Sequence, residues 1–277
     1  MLRLKILIVL YNKLPLDSQT LNSFLQFKEQ LSNYAELIIW DNSEIYLNNS
    51  QLNTLEQALY PLKFIYKANG LNTSLSRIYN KVIESITQDE FLVIFDHDST
   101  INISYFTQLI KAIKDNPDIN LFLPIVNGNN QIVSPANRWY FKGSYWKNEK
   151  YGILPSKRLT AINSGMAING RYLVHKFIGY DEDLKFYETD NDFMYKYSID
   201  NSKLFVINTH INHILSIYEE SSIEEKIFRF NAAKEGCLIH WRKKNTIIYI
   251  IIILYYLLLS LKLSIKFKNP HFFSTHL

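Results

Sequence analysis

The sequence is poor in cysteine and glycine, and this scarcity excludes some classes of protein. Among 277 residues there is one cysteine, Cys237, and there are eight glycines. A single cysteine cannot form an internal disulfide, so a disulfide-stabilised secreted scaffold is excluded, and a reducing cytoplasm is the simplest location. Cys237 itself is best interpreted as an inert packing residue.

Acidic residues are missing from the C-terminal part of the chain. From residue 236 onward there are six Lys or Arg residues and no Asp or Glu, whereas the preceding 235 residues contain 24 basic and 26 acidic residues. The net charge of +4 is therefore the sum of a slightly acidic body and a basic tail. This distribution argues against nucleic-acid binding and favours contact between the tail and anionic lipid.

We do not expect the apolar run near the N-terminus to be a secretory leader. Residues 4–10 are apolar and follow Arg3, but the run is at the lower limit for a signal peptide, and no small-residue cleavage site follows. With 47% hydrophobic and 20% charged residues, the composition is typical of a folded protein. We therefore expect the first apolar run to be a strand of a globular domain.

The first hundred residues alternate between predicted strands and predicted helices. Four short apolar runs, rich in β-branched and aromatic residues, have the length of buried strands. These runs are residues 4–10, 36–40, 62–66 and 91–95. Segments in which apolar residues have helical spacing lie between these runs. This alternation of strand and helix is typical of an α/β fold with a parallel sheet.

Each of these runs ends in polar residues. They are Tyr11 and Asn12, Asp41, Asn69, and Asp96 with Asp98. In an open α/β sheet, ligands bind at the carboxyl ends of the strands. Two carboxylates two residues apart at such an end suit Mg²⁺ or Mn²⁺. Asp also favours turns, so the Asp96–Asp98 pair alone leaves both interpretations open.

A second acidic segment lies at residues 181–192, where a helix is predicted to begin near Asp190. Carboxylates are favoured at helix N-termini as caps, and a carboxylate can equally serve as a general base. Upstream, residues 126–155 are rich in aromatic residues with little periodicity. We expect loops there whose rings either stack on sugars or simply pack.

The order of these motifs resembles family 2 glycosyltransferases, over about residues 4–216. Within that family the spacing is most similar to bacterial rhamnosyltransferase-like enzymes of surface-polysaccharide assembly. The resemblance rests on Tyr11-Asn12, on Asp41-Asn42-Ser43, on Asn69-Gly70 leading to Asn80, and on Asp96-His97-Asp98. Leu10 stands where the family usually has Thr, and residues 71–74 replace further small residues, so the sugar is left open.

The resemblance implies an α/β GT-A fold with a mostly parallel sheet flanked by helices. One domain would cover residues 1–220, with a donor half over 1–100 and an acceptor half over 101–220. A helical, membrane-associating tail would follow at 221–277. The implied function is an inverting transfer of a hexose from a dTDP- or UDP-sugar to a saccharide or lipid-linked acceptor in polysaccharide biosynthesis.

The resemblance also implies roles for particular residues. Asp190 matches the general base, with Asp192 as an orienting or substitute acid. His213, preferred to His210, would join the carboxylates that hold Mg²⁺ or Mn²⁺. The implied metal ligands are Asp96, Asp98 and His213, and the implied nucleotide-sugar contacts are Tyr11, Asn12, Asp41, Asn69 and Asp96.

The C-terminal tail is predicted to contain two helices. Residues 223–241 have an amphipathic pattern, and residues 246–261 carry no charge. Sixteen helical residues extend roughly 24 Å, less than the ~30 Å hydrocarbon core. We therefore expect an anchor within the cytoplasmic membrane interface, which makes the protein peripheral at the inner face. A core helix or a dimer contact is the alternative.

Two other functions fit parts of the sequence. A non-catalytic nucleotide-sugar-binding or scaffold protein of the same fold would keep the donor site without turnover. A nucleotidyltransferase acting on sugar phosphates is disfavoured, because a Gly-rich, Lys-bearing N-terminal loop is absent.

Overall fold

The computed structural model describes residues 2–129, 131–213 and 222–273. The strands within these residues are β1 Arg3–Leu10, β2 Ala35–Asp41, β3 Lys63–Ala68, β4 Glu90–Asp96, β5 Ser99–Thr100, β6 Leu121–Gly128, β7 Gln131–Ser134, β8 Ala136–Trp139, β9 Lys142–Tyr145, β10 Gly152–Pro155, β11 Leu159–Thr160, β12 Met166–Asn169 and β13 Lys203–His213. The helices are α1 Gln19–Leu25, α2 Lys28–Leu31, α3 Asn49–Leu59, α4 Leu75–Ile83, α5 Ile103–Asp115, α6 Gly170–His175, α7 Thr189–Asp200, α8 Ile223–Arg242 and α9 Thr246–Phe267.

The central sheet has the strand order β10-β13-β6-β12-β4-β1-β2-β3, with β5 beside β13 and β7 beside β6. The four N-terminal strands are parallel, as their alternation with helices predicts. Beyond β4 the sheet is mixed, because β12 runs antiparallel to both of its neighbours. The predicted α/β fold is confirmed.

Helices cover both faces of this sheet, so its inner strands are apolar on both sides. In β1, Ile6 and Ile8 belong to one core and Leu7 to the other. The first core is closed by α1 and α5, whose Phe24 and Phe106 rings lie 5.6 Å apart. The second core is closed by α4 and α7. This double burial leaves the ends of the strands as the places where polar side chains can collect.

The aromatic region before residue 155 forms short strands rather than the loops expected from the sequence. Strands β11, β8 and β9 make a separate antiparallel sheet, and β7 and β10 join the central one. Each of these strands has four residues or fewer. Strands this short cannot display a clear alternation of polar and apolar residues, so the sequence pattern does not predict them.

The tail forms a pair of helices packed on the main domain. Helix α8 begins with a capping box between Ser222 and Glu225, close to its predicted start. Helix α9 has 22 residues rather than the 16 predicted, because Lys262 does not end it. The buried residues Cys237, Trp241 and Ile252 join the two helices in a small core of their own. The predicted domain boundary at residue 220 lies outside the described residues.

Candidate active site

Three predicted metal ligands come together at the carboxyl end of β4. Asp96 is the last residue of that strand, Asp98 follows in the turn, and His213 ends β13. The short strand β5 pairs with β13 so that His213 stands opposite Ser99, which brings the histidine to the carboxylates. One ligand atom from each of Asp96, Asp98 and His213 lies within 4.8 Å of the others.

The chemistry of this cluster fits a divalent cation. Asp98 Oδ1 is buried, lies 3.2 Å from His213 Nδ1, and has no hydrogen-bond partner within the described chain. Burial raises the pKa of Asp98, and the charge of Asp96 raises it further. A divalent cation would offset the repulsion between the carboxylates, and oxygen ligands with one imidazole suit Mg²⁺ or Mn²⁺. The predicted cofactor is therefore supported by the residues present.

Two serines that the sequence analysis did not select hold this cluster in place. Ser164 Oγ donates a hydrogen bond to Asp96 Oδ2 at 2.7 Å, and Ser99 Oγ lies 3.2 Å from both Ser164 Oγ and His213 Nδ1. Next to Ser164, Gly165 has a φ of +81°, and a Cβ there would lie 2.5 Å from Ile211 Cδ1. A small residue is needed at that position for Ser164 to approach Asp96.

Three of the predicted nucleotide contacts lie at one edge of the sheet. Leu10 pairs with Asp41, so Tyr11 and Asn12 follow β1 directly beside the end of β2. Asp41 is buried and accepts hydrogen bonds from Ser43 N at 3.1 Å and from the Tyr66 hydroxyl at 2.5 Å. Asn12 N donates to Ser43 Oγ at 2.8 Å, while the Tyr11 side chain is exposed.

Asn69, a further predicted nucleotide contact, is exposed and makes only local contacts in its own loop. It accepts from Leu71 N and donates to Thr73 Oγ1. Asn42 instead links this loop to the end of β2, accepting from Thr73 N at 2.9 Å and donating to Asn72 Oδ1 at 3.0 Å. The binding role of Asn69 stays a prediction.

Asp190 is the second residue of α7 and does not cap it. The N-cap residue is Glu188, with a φ of 68° and no side-chain cap hydrogen bond. Burial raises the pKa of Asp190 to about 7, and the charge of Glu188 adds to this effect, while the Asn191 N–H and Arg138 oppose it. A carboxyl group with a pKa near neutrality is suited to accept a proton from a hydroxyl group.

Asp192 lies only two residues further along α7 but in a different environment. It is 2% exposed, with Lys196 Nζ at 2.6 Å and Lys244 Nζ at 2.8 Å. Burial acts to raise its pKa, but the two ammonium groups hold the pKa of Asp192 below its ordinary value. Both oxygens are occupied by these contacts, so the structure favours a structural role. The orienting role stays a prediction.

The remaining candidates are His210 and two rings of the aromatic-rich 126–155 region, Trp146 and Trp139. His210 contacts Asn127 and Tyr151 rather than the metal cluster, in agreement with the preference for His213. Trp146 is 5% exposed and donates to Asn137 Oδ1, so it is a packing residue. Trp139 is 65% exposed and is free to meet a ligand.

Comparison with solved structures finds the same fold in several glycosyltransferases. GalNAc-T7, solved with UDP, GalNAc and Mn²⁺, aligns with a TM-score of 0.57 at 13% identity, over 84% of this chain and 51% of that one. Residues 1–349 of Staphylococcus aureus TarS, in complex with UDP, align with a TM-score of 0.57 at 15% identity, over 87% of this chain and 72% of that one. The mannosyltransferase PcManGT from Pyrobaculum calidifontis, in complex with GDP-Man and Mn²⁺, aligns with a TM-score of 0.56 at 11% identity, over 87% of this chain and 63% of that one.

This chain thus spans about half of the GalNAc-T7 structure, and identities this low establish the fold alone. No curated protein matches the chain in sequence. The family profile described as "Glycosyl transferase family 2" matches residues 5–177, which is more than half of the chain. This span includes Asp41, Asp96 and Asp98 and ends before α7. On this match, the chain belongs to glycosyl transferase family 2.

Proposed function

We propose that the protein is an inverting, divalent-metal-dependent glycosyltransferase of polysaccharide biosynthesis. It would move a hexose, rhamnose-like or other, from a dTDP- or UDP-sugar to a saccharide or lipid-linked acceptor. The observation that carries the proposal is the Asp96–Asp98–His213 cluster at the carboxyl end of β4, together with the buried carboxyl group of Asp190 at the start of α7. The charge of Asp96 contributes to the raised pKa of Asp190, so the proposed base lies within electrostatic reach of the cluster.

The residues divide the reaction between them. Asp190 would take the proton of the acceptor hydroxyl as its oxygen forms a bond to the anomeric carbon and the bond from that carbon to the diphosphate breaks. Asp96, Asp98 and His213 would hold the cation, which neutralises charge on the leaving diphosphate. A single displacement of this kind inverts the anomeric centre.

The nature of the donor is supported by the structural neighbours. TarS has been solved with UDP and with UDP-GlcNAc, and PcManGT with GDP-Man. In this chain, the ends of β1 and β2 would hold the nucleotide beside the cation, with Tyr11, Asn12 and Asp41 near the base.

The location at the inner membrane face is supported by the shape of the tail. Of the described helices, α9 is the one that is long and apolar enough to cross a membrane. However, Ile252 is fully buried against α8, and eight large aliphatic side chains are exposed along one arc of about 120°. These residues are Ile247, Ile250, Ile251, Leu254, Leu257, Leu258, Leu261 and Ile265. A helix covered on one side and apolar on the other favours an orientation within the membrane interface.

The test combines donor binding with turnover. Thermal stability is measured with a panel of nucleotide sugars, with Mn²⁺ or with chelator, and donor hydrolysis and transfer are then followed. We expect Mn²⁺-dependent stabilisation by one donor. Asp98→Ala should abolish that stabilisation, whereas Asp190→Asn should keep it and lose about 10²–10⁴-fold in kcat.

Asp118→Asn is the matched control, because that carboxylate is exposed and has no ion pair within the described chain. It should leave both properties unchanged. Full turnover in both Asp98→Ala and Asp190→Asn would contradict the proposal. Donor binding by the wild type without turnover would favour the non-catalytic alternative.

A further inference from the structure

A large cavity lies between α7, the β8–β9 hairpin and the turn that joins α8 to α9. Its volume is about 620 Å³, within the range of small-molecule sites. The walls include Trp139, Tyr195 and Trp241, so they offer aromatic surface. None of the predicted metal or nucleotide ligands lines this cavity, which is therefore separate from the donor site.

The charge of the cavity has one sign. Arg138, Lys157, Arg158 and Lys244 line it, and no Asp or Glu does. Two of these cations are committed to partners: Arg138 pairs with Glu188 at 3.0 Å and Lys244 with Asp192 at 2.8 Å. Lys157 and Arg158 are exposed, and no carboxylate of the described chain lies within salt-bridge distance of either. The cavity therefore has a positive charge in excess, suited to an anion.

The cavity also lies near the proposed base. Met194 lines it and lies four residues after Asp190 on α7, roughly 6 Å along the helix axis. The Arg138–Glu188 pair forms a second link, because both of these charges act on the pKa of Asp190. An anion in this cavity would hold the rest of its molecule within reach of the base.

The opposite side of the cavity touches the start of the apolar helix. Lys244 and Asn245 line it, and Asn245 is the N-cap of α9. With α9 in the membrane interface, the cavity would lie at the level of the lipid headgroups, where phosphate is abundant. Arginine and lysine side chains are the usual partners of phosphate oxygens.

We propose that this cavity binds a phosphate or diphosphate group of the acceptor and so selects acceptors that carry one. The inference rests on the proposed glycosyl transfer and names the substrate class for its acceptor side. A phosphate-bearing lipid and a free saccharide phosphate share this chemistry.

The test uses pyrophosphate as a soluble probe and phosphatidic acid in phosphatidylcholine vesicles as a lipid probe, both with chelator so that no cation recruits phosphate to Asp96 and Asp98. Binding is measured by calorimetry for pyrophosphate and by sedimentation for vesicles. The variant is Lys157→Gln with Arg158→Gln, whose exposed side chains can be changed with little effect on folding. We expect it to bind pyrophosphate at least tenfold more weakly, roughly the 1.4 kcal/mol of a tenfold change.

The control removes the same charge elsewhere, with Lys81→Gln and Arg171→Gln on α4 and α6. These exposed residues do not line the cavity, and this variant should bind as the wild type does. If vesicle binding also weakens only in the cavity variant, the phosphate is lipid-borne. If only pyrophosphate binding weakens, it belongs to a free saccharide phosphate. Equal weakening in both variants, or no binding of either probe by the wild type, would overturn the inference.

Donor hydrolysis with Mn²⁺ separates this inference from the proposed function. The cavity variant should hydrolyse the donor at the wild-type rate, since it leaves the donor site intact. Hydrolysis without phosphate binding would refute the cavity proposal alone, whereas a folded wild type that binds phosphate but no donor would refute the proposed transfer.

Discussion

Two Asp-X-Asp segments, at residues 96–98 and 190–192, have the same spacing and opposite surroundings. At the end of β4, both carboxylates face one cluster with His213 and suit a single cation. At the start of α7, the pair is divided. Burial and Glu188 raise the pKa of Asp190 to about 7, whereas Lys196 and Lys244 hold the pKa of Asp192 down.

The difference teaches that the neighbours of a carboxylate, rather than its spacing in the sequence, determine its chemistry. A turn after a strand keeps both side chains of the first pair on one side. On a helix, residues two apart point to nearly opposite sides, about 160° apart, so the two carboxylates of the second pair meet different neighbours.

The largest expected effect is on the stability supplied by Asp192. Asp192→Asn would leave Lys196 and Lys244 poorly paired in a buried site, and we expect a loss of about 3–5 kcal/mol in the free energy of unfolding. Because the folded-state pKa of Asp192 is lowered, its contribution should be present above the ordinary pKa of 3.8 and disappear as the pH falls through the lower folded value.

Urea unfolding measures this loss. Asp115→Asn is the matched control, because Asp115 pairs with Lys111 at 2.6 Å on an exposed helix surface. An exposed pair four residues apart contributes about 0.3–0.5 kcal/mol. Equal effects of the two substitutions would mean that the buried cluster is not a stabilising unit.

The second effect has the opposite sign and concerns Asp190. Its folded-state pKa of about 7 lies above the ordinary 3.8, so folding opposes its ionisation, and its contribution to stability falls as the pH rises between these values. Asp190→Asn should therefore raise the free energy of unfolding by about 1–3 kcal/mol at pH ~8, and by little at pH ~4.

Melting temperatures at the two pH values, for wild type and variant, test this directly. If the Asp190→Asn variant gains stability and loses turnover, the Asp190 carboxyl group serves function and lowers the stability of the folded protein. A variant that is destabilised at pH ~8 would contradict the environment described for Asp190.

The smallest expected effect concerns the support of the Asp96–Asp98 pair by Ser164. Ser164→Ala removes the hydrogen bond to Asp96 and leaves the ligand atoms in place. We expect Mn²⁺ affinity to fall about two- to tenfold, corresponding to roughly 0.5–1.5 kcal/mol. A Mn²⁺ titration followed by thermal stability measures it, with Ser104→Ala, on the surface of α5, as control. Unchanged affinity would show that Ser164 does not position Asp96.

Much of the donor half could be predicted from local pattern. The strand that ends at Asp96, with Asp98 in the turn after it, and the parallel order of the first four strands follow from short apolar runs and their spacing. Ser164 and Lys244 could not be found in this way, because they lie 68 and 52 residues from the carboxylates that they contact. Nothing in their own neighbourhoods marks them.

The sequence by itself determined the elements of the first hundred residues, the apolar tail and the residue types available at each strand end, since these depend on local pattern and composition. Only the tertiary structure decided which of those residues meet. The pairing of β5 with β13 brings His213 to Asp98, and the packing of α8 on the main domain brings Lys244 to Asp192. The physical reason is that burial and charge pairing, which set the pKa of each carboxylate, arise from contacts between distant parts of the chain.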